Sequence, residues 1–359
     1  MSKIAVFGSG SWGTAFSIVL ADAGNEVRIW GRREECCPTI NTLHQNTDYL
    51  PGVDLPHAIS ATSDPAEAVA DAEYVVLAVP SQTLRENLAN WAPLIPSDAV
   101  FVSLMKGVEL GTTKRMSEVI AEVTGAGPER IAVISGPNLA KEIAAREPAA
   151  SVVACADEVV AQRLQDVCHS RAFRPYWSAD VVGCELGGAY KNVVALCVGM
   201  AVGLGFGDNT TASVITRGLA ETARLAVKLG AEPMALMGLA GLGDLAVHGG
   251  LQGQVHRVGH IGRVHQPGAD GGAGVAVLHA QVGPIPVFQV VADGEVVGDG
   301  VARDEVVSVA LFHLLGFAAD DNGQFAFVVH VLHAVGANGE CAMADQRGRA
   351  LGKGQRLLG

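Results

Sequence analysis

Apolar and polar positions follow one another in short blocks over the first 180 residues. Ile4 to Phe7 is an apolar run of strand length. Ala15, Phe16, Val19, Leu20 and Ala23 then recur at helical intervals, and Gly24 suits the helix end. The segments EVRIWGRR, AEYVVLAVPSQ, AVFVSLMKGVE and RIAVISGPNLAKEI each read as a strand running into a loop or helix. Val, Ile, Leu and Ala are nearly continuous in these short strands. That pattern predicts an α/β fold with a parallel sheet covered on both faces.

From residue 181 the period changes to three and four. Leu186, Ala189, Val193, Leu196, Cys197 and Met200 predict a helix in DVVGCELGGAYKNVVALCVGMAVGLG, and TASVITRGLAETARLAVKLGA predicts a second. The pattern breaks after Val247. From Gly249 to Gly359 there are 21 Gly and 19 Val but no Thr, Trp or Tyr, with Ser308 and Lys353 the lone serine and lysine. Runs such as PIPVFQVVADGEVVGDGVARDEVVSV are strand-like, and no repeat or heptad is present. The expected organisation is a Rossmann-type, doubly wound dinucleotide domain over 1–180, an all-α substrate portion over 181–247, and an anomalous, mis-framed or poorly ordered tail over 248–359.

Composition narrows the function. A formal charge of −12 argues against a nucleic-acid backbone as main partner, though small phosphorylated ligands need only a few local cations. No uninterrupted apolar run reaches 18 residues, so no membrane span is expected. Seven irregularly spaced cysteines without a CxxC read as free thiols in a reducing cytoplasm. Seven histidines lie between His256 and His333, two of them in HVLH, but without a Cys or acidic ligand pattern no metal site is assigned.

The chemistry starts at Gly8, Gly10 and Gly13, spaced G-x-G-x-x-G between a strand and a helix. In this motif the first glycine allows the tight turn, the second lets a pyrophosphate approach the backbone, and the third lets helix and strand pack closely. An NAD-selective fold usually has Asp or Glu at the end of the second strand. Gly31, Arg32 and Arg33 stand there instead, and arginine suits the 2′-phosphate of NADP. NADP(H) is favoured, with NAD(H) open. Ligands in such sheets collect beyond the carboxyl ends of the strands, which places Pro80, Lys106, Gly136 and Asn138 on one edge. Gly136 and Asn138 are expected at a helix start, as an anion site. Lys191 stands in an apolar helix, where loss of water lowers its pKa toward a value useful for proton transfer. Asp244, in AGLGDL, reads either as a helix cap or as a group that orients Lys191 or a substrate hydroxyl.

Several motifs in one order carry a resemblance: GSGSWGTA, SLMKGVELGT, ISGPNLAKEI, VVGCELGGAYKNVVAL, ITRGLAE and LAGLGDL. From Met1 to about Val247 the chain resembles the NAD(P)-dependent glycerol-3-phosphate dehydrogenases of bacteria. The resemblance implies that Ser11, Trp12, Arg32, Arg33, Lys106 and Ala140 contact the nicotinamide cofactor. It implies that Lys106, Gly136, Asn138, Lys191 and Asp244 hold a small phosphorylated three-carbon substrate, with Lys191 the proton donor or acceptor. The implied reaction interconverts dihydroxyacetone phosphate and sn-glycerol 3-phosphate and feeds phospholipid synthesis. Tyr190 departs from the small or aliphatic residue expected before the lysine, a change of packing rather than chemistry. The alternatives are a related β-hydroxyacid dehydrogenase, or a non-catalytic NADP-binding protein. Oligomeric state is open, a homodimer being one arrangement that the size allows.

In that family the glycine turn and its Asp precede a T-C-x-S-x-x-S-R-N segment. Its arginine and asparagine help bind substrate phosphate and cofactor. Here LAVHGGLQGQVHR follows, with Gln254, Val255 and His256 at the corresponding spacing. The tail composition fits a GC-rich gene read in a wrong frame or on the wrong strand, the alternatives being a genuine divergent C-terminus or an unrelated fused module. Resequencing the coding DNA tests this hypothesis: a frame shift near codon 247 is expected, and an intact frame overturns it.

Overall fold

The computed structural model describes residues 1–203 and 206–249, and five strands beyond them: β9 (Val258–Gly259), β10 (Val275–Val282), β11 (Phe288–Asp293), β12 (Leu311–Ala319) and β13 (Phe325–Leu332). The chain divides into two compact units, Met1–Leu251 and Gln252–Gly359. In the second, the strands form one sheet in the order β12-β13-β11-β10-β9. The sequence expectations for Gln254, Val255, His256 and His333 lie outside the described residues.

The first unit is built on eight strands: β1 (Lys3–Phe7), β2 (Glu26–Trp30), β3 (Ile59–Thr62), β4 (Tyr74–Leu77), β5 (Val100–Ser103), β6 (Ile131–Ser135), β7 (Ala149–Cys155) and β8 (Phe173–Ser178). Their order is β3-β2-β1-β4-β5-β6-β7-β8. The first six form the doubly wound nucleotide-binding arrangement, which reverses direction between β1 and β4. The sheet is not wholly parallel, because β7 runs antiparallel to β6. Neither β7 nor β8 was among the strands expected from sequence. Both contain polar or exposed positions, and an edge ladder does not need a continuous apolar run.

Crossovers cover both faces with α1 (Ser11–Asp22), the single turn α2 (Cys36–Pro38), α3 (Pro65–Val69), α4 (Leu84–Trp91), α5 (Met116–Thr124), α6 (Ala140–Ala144) and α7 (Glu158–Cys168). The two-residue strand period divides the core. Ile4 and Val6 join Phe16, Val19 and Phe173 on one face. Ala5 and Phe7 join Leu84, Leu88 and Trp91 on the other. Gly24 adopts φ +90° just past α1, where its N–H donates to the Ala21 carbonyl.

The helical portion consists of α8 (Val181–Gly203), α9 (Asp208–Lys228), α10 (Pro233–Met237) and α11 (Asp244–Gly249). The register of α8 differs from the expected one. Leu186, Val194 and Val198 are buried, whereas Ala189, Val193, Leu196 and Cys197 are half-buried. A helix apolar on nearly every side has no single stripe to read, and here its neighbours on two sides select the buried positions. Leu186 and Val194 pack with Leu219, Ala226, Leu236 and Leu245, with Tyr190 half-buried against them. Cys184 packs with Val133, Ala154 and Ala240, so α8 lies directly on the sheet. Residues 181–199 are long and apolar enough, by length and composition, to cross a membrane, but 56% of that window is buried within the protein.

Phe16 is fully buried and meets Trp12 and Phe173. Phe16→Ala should lower stability by about 3–5 kcal/mol through the cavity it leaves, read as a lower urea midpoint at unchanged slope.

Candidate active site

The glycine turn joins β1 to α1 at the point where the strand order reverses. Gly8 has φ +129°, and a Cβ there would stand 2.5 Å from the Ala78 carbonyl oxygen. A Cβ on Gly13 would stand 2.0 Å from the Gly8 oxygen. Gly10 is different, because a Cβ there would meet nothing within 4 Å. The outer glycines are therefore demanded by the protein, and the middle one faces open space. Gly10 also caps α1 without a side chain, and the first turn of α1 carries no acidic residue. Its free N–H groups and positive dipole end are left for an anion. The residues present thus fit a dinucleotide pyrophosphate.

Other expected cofactor contacts border this turn. Ser11 donates its hydroxyl to the Tyr49 carbonyl at 2.7 Å. The Trp12 ring packs on Phe16, and its buried Nε1 has no partner among the described residues. After β2, Arg33 pairs with Asp48 at 2.8 Å and lies over the Tyr49 ring, while Arg32 is exposed beside it. A Cβ on Gly31 would stand 3.0 Å from Ser9 Oγ, so an acidic side chain at that position would displace Ser9. Asn46 donates to the Ser9 carbonyl at 2.9 Å and to Thr14 Oγ1 at 2.8 Å, bracing the turn. Sequence reasoning missed Asn46, Asp48 and Tyr49. They lie on an irregular loop with no motif, and only the fold brings that loop to the turn.

A second cluster lies beyond β5 and β6. Lys106 Nζ donates to the Gly136 carbonyl and to Asn138 Oδ1, each at 3.0 Å, and to Asp244 Oδ2 at 2.6 Å. Lys191, from α8, donates to Asp244 Oδ1 at 2.5 Å. All five expected substrate residues therefore form one hydrogen-bonded network, with Gly136 and Asn138 joined to it through Lys106 and the two lysines joined by the Asp244 carboxylate. Asp244 has no solvent exposure, and Lys191 and Lys106 side chains have 5% and 17%. Burial and the positive charge of Lys106 hold the Lys191 pKa down to about 7, against the opposing pull of Asp244.

One expectation changes, and one open alternative is decided. Gly136 and Asn138 do not open a helix: Leu139 caps the five-residue α6, which Ala140 begins. Their oxygens accept from the Lys106 ammonium. Asn138 still has a buried amide nitrogen without a partner among the described residues, which leaves a donor for a ligand oxygen. Asp244, the first residue of α11, takes up both lysines rather than serving as a plain cap.

The comparisons agree with this architecture. The model described as NAD-dependent glycerol-3-phosphate dehydrogenase N-terminus matches residues 3–161, and its C-terminus counterpart matches residues 180–258. The glycerol-3-phosphate dehydrogenase [NAD(P)+] of Streptomyces griseus is 65% identical over 243 residues, 68% of this chain and 72% of that protein. The chain belongs to the NAD-dependent glycerol-3-phosphate dehydrogenase family. The glycerol-3-phosphate dehydrogenase [NAD(P)+] of Thermobifida fusca is 63% identical over 246 residues, 68% of this chain and 73% of the relative. Among solved structures, glycerol-3-phosphate dehydrogenase from Coxiella burnetii superposes with a TM-score of 0.67 at 34% identity, over 72% of this chain and 78% of that one.

For a family member with this turn, Gly10→Ala should leave the melting temperature unchanged, since the methyl group meets no protein atom. NADPH affinity should fall by more than about tenfold, or ~1.4 kcal/mol, in a fluorescence titration.

Proposed function

We propose that this chain reduces dihydroxyacetone phosphate to sn-glycerol 3-phosphate, reversibly, with NADP(H) or NAD(H), and that Lys191 moves the proton. The observation that carries this reading is the buried Lys106–Asp244–Lys191 cluster on the carboxyl edge of the sheet. With both lysines charged, two cations face one carboxylate, and the remaining positive charge favours an anionic ligand. The nicotinamide cofactor, when bound, supplies the hydride that goes to the ketone carbon. Lys191 gives its Nζ proton to the oxygen of that carbon and becomes a neutral amine, still held by Asp244. Lys106 keeps its charge beside the developing alkoxide. Gly136, Asn138 and Asp244 hold Lys106 in place, and Asn138 offers its amide N–H to the substrate.

The cofactor residues are Gly8, Gly10, Ser11, Trp12, Gly13, Arg32, Arg33, Lys106 and Ala140. Two guanidinium groups after β2, and the absence of an acid at Gly31, support NADP(H) as the preferred cofactor. The described cysteines are free, which fits a reducing, cytoplasmic setting. A homodimer fits the size of the chain.

NADPH oxidation should depend on dihydroxyacetone phosphate, and Lys191→Ala should lower kcat by about 10²–10⁴-fold. NADPH binding without turnover in the unsubstituted protein would overturn the reading. Reduction needs the protonated amine, so its rate should fall as pH rises through about 7. Oxidation of glycerol 3-phosphate needs the neutral amine and should rise through the same range.

A further inference from the structure

A second charge is buried in the helix that carries Lys191. Glu185 is 5% exposed, yet its carboxylate is fully engaged. Oε1 accepts the Ser117 backbone N–H at 2.8 Å. Oε2 accepts the Ser117 hydroxyl at 2.6 Å and the Arg115 guanidinium at 2.7 Å. Burial raises the Glu185 pKa, and these donors oppose the rise. Arg115 is the N-cap of α5 and Ser117 its second residue, so a carboxylate from α8 closes the positive end of another helix.

Arg115 also ends the loop that carries Lys106. Val108 and Arg115 pair as an antiparallel bridge, and the Glu109 N–H donates to the Lys114 carbonyl at 2.8 Å. The two arms of this loop therefore move together. Glu185 grips one arm, while the other presents Lys106 to Asp244, which holds Lys191 six residues further along α8. Gly188 lies between these ties: a Cβ there would stand 2.9 Å from Ser135 Oγ and 3.3 Å from Lys106 Cγ.

We propose that Glu185 is a positioning residue that sets the separation of Lys106 and Lys191, by clamping the Lys106 loop to α8 through Arg115 and Ser117. Its effect on turnover rests on the functional reading above; its effect on the position of the lysines does not. Among the described residues, the charged groups that act on Lys191 include Lys106 from the loop and Asp244 from α11. Those around Glu185 are Arg115, Glu118, which pairs with Arg115 at 3.2 Å, and Asp180, which acts with it on Cys184.

The test uses the full chain labelled with ¹³C-lysine, without cofactor or substrate. The seven lysines give a small set of Cε resonances, and Lys191→Ala assigns the relevant one. Its midpoint should lie at about 7. In Glu185→Gln an amide N–H faces the guanidinium of Arg115 and the clamp opens. Lys106 then retreats and water enters, so the Lys191 midpoint should rise by about one pH unit or more. kcat should fall by about tenfold or more, the counterpart of ~1.4 kcal/mol. Ser117→Ala, which removes only the hydroxyl donor, should give a smaller shift in the same direction, and it decides the matter if Glu185→Gln does not fold. An unmoved Lys191 midpoint in a folded variant overturns the proposal. If the unsubstituted protein shows no turnover, the functional reading falls, and the titration still decides the role of Glu185.

Discussion

Asp244 holds two ammonium groups while sealed from solvent, and the geometry of the first unit converges on that carboxylate. Lys106 arrives from the carboxyl end of β5, Lys191 from α8, and Asp244 from the glycine-rich turn that opens α11. Each charge would be costly to bury alone, and an unpaired buried lysine tends to lose its proton. Together they are tolerable, at the expense of a depressed Lys191 pKa. The cost of burial therefore prepares a proton donor that is poised near neutrality.

That arrangement requires the helical portion to lie against the sheet without an intervening layer. Cys184 of α8 packs with Val133 of β6, Ala154 of β7 and Ala240 of the turn. A doubly wound sheet supplies the cofactor turn and one lysine, and α8 supplies the other. Several large apolar side chains of the helical portion remain exposed, among them Phe206, Leu229, Met234 and Met237.

Much of this was legible in the sequence. Short, unbroken apolar strands and G-x-G-x-x-G define a doubly wound sheet almost without ambiguity, because few other folds need those glycines between those elements. Lys191 was legible because a charge in an apolar helix calls for an explanation. Glu185 broke the same apolar pattern six residues earlier and was passed over, although the same reasoning applies to it. Other features left no local trace. The Asn46 and Asp48 contacts depend on where a motif-free loop returns, and the reversed direction of β7 depends on a connection rather than on composition. Gly136 and Asn138 were legible as residues of the sheet edge, but their bonds to Lys106 were not, because the spacing does not show which way a carbonyl points.

The stretch from Glu185 to Lys191 has a consequence for how such a protein can evolve. Glu185 meets Arg115 and Ser117, Gly187 lies against the Ala240 carbonyl, Gly188 against Ser135 and Lys106, and Lys191 against Asp244. A Cβ on Gly187 would stand 2.6 Å from the Ala240 oxygen, a backbone atom that no change of rotamer can move aside. Within two turns of one helix, neighbouring positions answer to different parts of the fold. Such a segment cannot drift one residue at a time. At Glu185 and Lys191 a change calls for a matching change in a distant partner, and at Gly187 no partner substitution can make room.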